Sequence, residues 1–435
     1  MSEAMWSSSL ESPLFGGSYI DQRTRRDLAS TRKILPFERP NDERPMAQTM
    51  AMIAEWLLGP ARQIPDGVPA FDEFAWRLFA TGLPLMRVSL HVPVVHPQFF
   101  GTNLAWRRST GQTTRTMITH ELVELMRGED TPVKRVILYG ETLRRQLEVA
   151  DDELNFAMLR ELKAEGASGF LGLPITSAHG TYNYMISYAT DRPGGFTDAD
   201  VAGLTQISRL LPLVIDMHSH RNIARNLLTF YLGATTGPRV LAGQIRRGMG
   251  EALTAVLWSS DLRGFTERSD RLPGERMIAI LNALFDAQAN AINQHGGEIL
   301  KFIGDGLLAI FPMTDPGQSV DAAHRALEAA HEAQAAVERL REHAALAGEA
   351  SLRIVVALHA GTVLYGNIGA ANRLDFTVIG PAVNLVSRVE AIAKALDQPI
   401  VVTDDFVRAY GEPMRSLGRH QLRGLAIPHE LFAPV

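Results

Sequence analysis

The spacing of hydrophobic positions changes several times along the chain, and each change predicts a different element. In Met46–Leu58, Met50, Ile53, Ala54 and Leu57 form one stripe at the three-four spacing of an amphipathic helix, and Phe71–Leu83 repeats it. Arg87–Val95, Phe170–Pro174 and Tyr182–Ala189 are dense apolar runs that read as strands. The turn Arg192-Pro193-Gly194-Gly195-Phe196 follows. Thr197 and Asp200 then have the spacing of a capping box, with Asp for the usual Glu, opening a helix through Leu211. The segment 200–231 reads as a connecting helix. Leu204, Ile207, Leu211 and Val214 fit coiled-coil spacing, whereas His218 and Arg221 break it and Pro212 kinks it. Such a helix serves either a short parallel pair or plain domain docking.

After a turn-rich entry at Gly237–Glu251, the alternation of elements sharpens. Ala252–Asp261 reads as a strand. Leu272–Gln294 reads as a helix with Met277, Ile280, Leu281 and Leu284 inward. Glu298–Phe311 predicts two strands about a Gly304-Asp305-Gly306 turn, since Asp-Gly is a strong hairpin signal. An Ala-rich helix from Ser319 to about Leu346 and strands at Leu352–His359 and Leu374–Ile379 follow. Pro381 then opens a helix to Leu396, before a strand at Pro399–Thr403 and a final pair between Gly418 and Phe432. The order is α+β with split βαβ units, close to the ferredoxin-like arrangement.

Composition narrows the function. The 435 residues suit two or three domains, and 46% hydrophobic content supports real cores. A net charge of −5 argues against a nucleic-acid binder with a broad basic surface. The chain has no cysteine, which excludes disulfides, thiolate metal sites and cysteine nucleophiles, and points to the cytoplasm. No apolar run approaches the ~18 residues of a membrane span, and Met1–Tyr19 lacks the make-up of a signal peptide. Residues 1–45, polar and interrupted by Pro36 and Pro40, read as a largely disordered arm.

Neither a GxxxxGK[ST] loop nor a GxGxxG motif is present, so the usual phosphate cradles are missing. What remains is a pair of strand-end carboxylates. Asp261 ends an apolar run, and Asp305 sits at a hairpin tip between two glycines. Taken alone, such an aspartate is more often a cap or a turn. Two adjacent strands presenting one carboxylate each nevertheless suit a hard divalent cation, and with nucleotide phosphates as further ligands they suit two. Gly264, Phe265 and Thr266 then open a helix whose first amides suit phosphate.

"SSDLRGFTERSD", "HGGEILKFIGDGLLAIFP", "ALHAGTVLYGNIG" and "DFTVIGPAVNLVSRVEA" resemble four successive blocks of class III adenylate cyclases, in order within the C-terminal part of the chain. The resemblance implies that Asp261 and Asp305, with the Leu262 carbonyl, hold two divalent ions, Mg²⁺ or Mn²⁺. It places Lys301 as the reader of adenine N1, where guanylate cyclases have a glutamate. It makes Thr377 the second base-reading residue, often Asp in the family. A hydroxyl both accepts and donates, so Thr377 discriminates less sharply. Asn384 and Arg388, four apart on one helix face, match the residues that orient ribose and stabilise charge at the α-phosphate. Arg423 in "LRGL" matches a triphosphate-binding position that is usually lysine. His359, Gly361, Gly366 and Gly369 match a structural block.

In that family the site lies between two cyclase domains, so a single chain with both residue sets implies a homodimer. The expected reaction is ATP to 3′,5′-cyclic AMP and pyrophosphate. The rivals are a guanylate cyclase and a catalytically silent nucleotide-binding regulator. Upstream, the strand, turn and "GGFTDAD" helix start resemble the end of a GAF-type sensor domain whose signal, small molecule or protein, is not readable. His91 and His96 suit haem or metal only weakly, since no second ligand stands at metal spacing. The expected division is an arm at 1–45, a mixed α/β GAF-like domain at 46–220, a linker at 221–251 and a cyclase domain at 252–435.

Overall fold

The computed structural model describes residues 34–37, 39, 45–126, 128–177, 183–248, 250–313, 319–340, 352–370 and 372–435. The chain divides into two compact units, Met1–Leu227 and Leu228–Val435.

The N-terminal unit is built on one seven-stranded antiparallel sheet of order β1-β4-β3-β2-β7-β6-β5. Its strands are β1 (Ile34–Phe37), β2 (Leu85–Pro93), β3 (Phe99–Arg107), β4 (Gln112–Thr119), β5 (Leu143–Gln146), β6 (Gly169–Ile175) and β7 (Tyr184–Thr190). Strand alternation gives the sheet two apolar faces. Val88, Leu90, Leu104 and Trp106 pack with helices α1 (Met50–Leu58) and α2 (Gly67–Phe79). There Trp106 meets Trp76 edge-on, with centroids 5.2 Å apart. Phe170, Met185 and Ala189 pack on the other face beneath α4 (Pro132–Tyr139) and α5 (Ala157–Ala164), while the short α3 (His120–Leu125) follows β4. The capping box is present: Thr197 Oγ1 accepts from Asp200 N, and Asp200 Oδ2 accepts from Thr197 N, at the head of α6 (Asp198–Ser208). A new helix, α7 (Pro212–Leu232), starts at Pro212, where the kink was expected.

The described part of the arm is ordered by pairing. Phe37 lies opposite Thr113 on β4, and Arg39 bonds Asp72 at 2.8 Å and also Glu73. Asp72 is fully buried and also accepts from Thr113 Oγ1, so the arm's guanidinium gives a buried carboxylate its charged partner. Most of the arm's residues lie outside the described set.

The C-terminal unit has an eight-stranded sheet of order β14-β15-β13-β11-β8-β10-β9, with β12 paired to β11. The strands are β8 (Gly250–Leu262), β9 (Glu298–Ile303), β10 (Gly306–Pro312), β11 (Ile354–Ala370), β12 (Arg373–Ile379), β13 (Ile400–Thr403), β14 (Arg415–His420) and β15 (His429–Ala433). Its middle, β11-β8-β10-β9, is a split βαβ pattern of antiparallel neighbours. Helices α10 (Gly274–Gln294) and α11 (Ser319–Arg339) share one face of it. Ala322, Ala323, Ala326, Ala329, Ala330 and Ala333 of α11 are all fully buried. Alanine favours the helix and lets it approach the sheet closely. The Ala-rich helix ends at Arg339; its expected continuation falls among residues 341–350, outside the described set. The opposite face is covered by α12 (Pro381–Leu396), and α13 (Asp404–Tyr410) caps β13.

The expected linker is not one connector. Residues from Leu228 belong to the C-terminal unit. There α8 (Thr236–Leu241) is held by a Thr236–Tyr365 hydroxyl pair at 2.8 Å, and Tyr365 donates to Glu298 at 3.0 Å. Short polar α8 carries too few apolar positions for periodicity to reveal it. The helix expected at Leu272–Gln294 is α10, and the helix start expected at Gly264–Thr266 is the short α9 (Phe265–Arg271), which ends just before Pro273.

Candidate active site

Alternation along β8 sends Val256, Trp258 and Leu262 into the core under α10 and α11, and Ala255 and Leu257 into the core under α12. Asp261 shares parity with Leu257 and Ser259, so it emerges at the strand end on the α12 side. The β9–β10 hairpin turns at Gly304, with φ 61°, and Asp305. Antiparallel pairing of Leu307 with Ser260 brings the tip to Asp261. Contact is tightest at Gly306, where a Cβ would stand 2.1 Å from the Ser260 carbonyl oxygen. The carboxyls of Asp305 and Asp261 thereby come within hydrogen-bonding reach. Burial, and next the Asp261 charge, push Asp305 up to about 6.

A cation stands at the same corner. Lys394 Nζ lies 2.6 Å from Asp261 Oδ2 and 3.1 Å from Glu390 Oε1, one turn back on α12. Ser259 Oγ donates to Glu390 Oε2 at 2.5 Å. Burial opposes the Lys394 charge, but its bonds to Asp261 and Glu390 outweigh that and hold it above the ordinary lysine value. Two carboxylates and the adjoining Leu262 backbone form a donor set suited to Mg²⁺ or Mn²⁺ that also keeps water and phosphate ligands. Among the described residues no group of three His, Cys, Asp or Glu side chains forms a closed metal cage. Gly264, at φ 70°, heads α9, where Arg268 Nη1 donates to the Arg263 carbonyl at 2.6 Å; Phe265 and Thr266 form the first turn.

The other expected residues stand on β9, β12, α12 and the loop between β14 and β15. Lys301 is exposed on β9, and Thr377 is buried on β12, which approaches β9. The Thr377 hydroxyl is enclosed and has no hydrogen-bond partner among the described residues. Asn384 is exposed on α12, Arg388 is half-buried, and Arg423 is exposed in the loop whose Gly424 abuts Arg388. At about 100° per residue, Asn384 and Arg388 sit roughly 40° apart around α12, and the Glu390–Lys394 pair is centred roughly 120° away. One helix therefore turns two polar pairs to two different places. His359 is enclosed and bonds Thr403 Oγ1 at 2.9 Å, as a structural histidine would.

Residues 253–424 match the family described as Adenylate and Guanylate cyclase catalytic domain. The C-terminal unit carries such a cyclase domain. The chain is 32% identical over 152 residues to an adenylate cyclase of Anabaena cylindrica, covering 34% of this chain and 29% of that protein. It is 25% identical over 266 residues to adenylate cyclase 1 of Rhizobium meliloti, covering 58% of this chain and 38% of that one. The chain thus spans less than half the length of these two curated relatives. Among solved structures, the adenylyl cyclase CyaB from P. aeruginosa matches at 25% identity and a TM-score of 0.39, covering 43% of this chain and 96% of that one.

Within the cyclase domain, sequence reasoning did not single out Glu390, Lys394 or Ser259. Glu390 and Lys394 are four apart and read as an ordinary exposed helix pair. The available signal was Ser259, two positions before Asp261, a polar residue inside a strand that otherwise packs a core. In the N-terminal unit, His96 Nδ1 accepts from Gln98 N at 3.0 Å. His91 Nδ1 is enclosed without a hydrogen-bond partner among the described residues, and burial, then the Arg87 charge, lower its imidazole to about 4.

Proposed function

We propose that the protein is an adenylate cyclase that converts ATP to 3′,5′-cyclic AMP and pyrophosphate at sites shared by two copies of the chain. The observation that carries this reading is the meeting of Asp261 and Asp305 at the end of β8, with a like-charge pair that calls for cations. Two divalent ions bound there supply Lewis-acid polarisation of the phosphates and a more acidic ribose 3′-hydroxyl. Asp261, Asp305 and the Leu262 carbonyl hold them. Lys301 donates to adenine N1, and the unpartnered Thr377 hydroxyl accepts from the adenine amino group. Asn384 orients the ribose, Arg388 stabilises the charge that develops as the 3′-oxygen attacks the α-phosphorus, and Arg423 with the Gly264–Thr266 amides contacts the departing pyrophosphate.

The shared site is supported by α12. Asn384 and Arg388 point away from the face that meets the chain's own Asp261, so they suit a neighbour's nucleotide. Phe302, Ile303, Leu374 and Ile379, from 37% to 56% exposed on the two hairpins, offer apolar area for such a pairing. The N-terminal unit is the regulatory sensor in this reading, GAF-like in kind and open as to ligand. Buried Thr377 in place of a carboxylate favours one second reading, a guanylate cyclase. Purified protein given ATP or GTP with Mg²⁺ or Mn²⁺ distinguishes the cases: cyclic AMP as the main product is expected, cyclic GMP as the main product supports the second, and no product from either removes both.

A further inference from the structure

Lys394 is the one described side chain that places a positive charge directly on a carboxylate proposed to hold metal. Its surroundings do not resemble a phosphate site. The ammonium is shared between Asp261, only 19% exposed, and Glu390, 15% exposed. Glu390 is itself fixed by Ser259 from within the sheet. Arg263 bonds the Lys394 carbonyl at 2.6 Å and Asp397 at 3.0 Å, which ties down the end of α12. The lysine stem therefore hangs from a fixed backbone beside a fixed second acceptor.

Without a cation, Asp261 and Asp305 would face each other uncompensated in a half-buried corner, at a cost that rises as water is excluded. Lys394 supplies that compensation. A divalent ion approaching that Asp261 oxygen meets the repulsion of an ammonium only 2.6 Å from it and competes with it for the same negative charge. Glu390 lies 3.1 Å from the same ammonium, so Lys394 can give up Asp261 and keep a partner. We propose that Lys394 is a resident counter-cation of the metal corner, which occupies Asp261 before metal arrives and moves onto Glu390 when a divalent ion binds. It is a positioning residue with a defined sign: it opposes metal entry and so sets the metal concentration at which the site fills.

This inference rests on the metal reading above, and the test separates the two. Mn²⁺ alone is titrated into the full chain without nucleotide, and free Mn²⁺ is followed by electron paramagnetic resonance. Wild type is compared with Lys394→Met, Lys394→Arg and Asp261→Asn. Lys394→Met keeps the length of the stem and removes the charge, so Mn²⁺ should bind on the order of tenfold more tightly. Lys394→Arg should stay near wild type. Unchanged or weaker binding by Lys394→Met, or none at all, overturns the proposal, because the lysine then supports Asp261 rather than competing for it. If Asp261→Asn binds Mn²⁺ as well as wild type does, the metal reading fails and the proposal with it. If Asp261→Asn loses binding while Lys394→Met matches wild type, the proposal alone fails.

Discussion

Two polar pairs on one helix are treated in opposite ways. Glu390 and Lys394 close a network with Ser259 and Asp261 inside their own chain. Asn384 and Arg388, one to two turns nearer the helix start, have no side-chain hydrogen bond or ion pair among the described residues. Buried or half-buried polar groups in folded proteins almost always find partners. The difference teaches that one pair is closed by the chain's own folding, whereas the other, with Asn384 exposed and Arg388 half-buried, is left open to solvent.

The strongest way to break this contrast is to disable each half separately. Asp261→Ala, Asp305→Ala and Arg388→Ala should each lower cyclic nucleotide formation by at least about 10³-fold while the circular dichroism melt stays near wild type. Co-expression of Asp261→Ala with Arg388→Ala should then restore roughly a quarter of wild-type activity. With random pairing, half the dimers are mixed, and each mixed dimer has one intact site of two. Mixed dimers that can be isolated and remain dead refute the shared site.

Next in size is base choice, which sets exposed Lys301 against buried Thr377. Lys301→Glu should lower the ATP-to-GTP activity ratio on the order of 10²-fold or more, since it leaves acceptor facing acceptor. An equal loss with both nucleotides assigns Lys301 to phosphate or to structure. Thr377→Asp should move the same ratio; an unmoved ratio takes Thr377 out of base reading.

The same question of partnered and unpartnered groups reaches the N-terminal unit through His91. Its folded value, about 4, lies below the free value of 6.5. The unfolded chain therefore binds the proton first, and stability present above pH 6.5 is lost as pH falls toward 4. The loss should approach about 3 kcal/mol at pH 4. His91→Leu, which removes a ring nitrogen with no partner among the described residues, should flatten that slope in urea melts at pH 4 to 7; an unchanged slope assigns the acid sensitivity elsewhere.

Smallest is Glu298. Burial raises its carboxyl above the ordinary value, against the Tyr365 and Thr236 hydroxyls and the Arg239 charge. Its contribution to stability therefore falls as pH climbs past 4.5 through the folded value. Glu298→Gln should melt at or slightly above wild type at pH 7, by less than about 1 kcal/mol. A clear drop in melting temperature would show that Arg239 needs the charge.

Legibility from sequence followed the physics of each element. The cyclase domain was readable because strand and helix periods alternate cleanly from 252 onward, and because its carboxylates end strands. The GAF-like reading rested on Thr197 and Asp200, whose cap is real, but a cap is a local device and does not specify a domain. Strands β3 and β4 escaped because Thr102, Asn103, Thr113, Thr114 and Thr116 dilute the apolar alternation. Strand β1 escaped because Pro36 reads as a breaker, although an edge strand tolerates it. Lys394 escaped for a different reason: its partner, Asp261, is 133 positions away, and only the fold brings the two together.

The 2.1 Å that separates the Ser260 oxygen from the place where a Cβ on residue 306 would stand has a consequence for telling working copies of this chain from dead ones. The distance between the two carboxylates is held by the absence of a methyl group. A descendant with alanine at 306 would retain Asp261, Asp305, Lys301, Asn384 and Arg388, and any inventory of its signature residues would declare it whole. Its hairpin would nevertheless ride away from β8 and take Asp305 along. Loss of function in such a lineage would begin as a spacing fault in the frame, with every chemical group still in place.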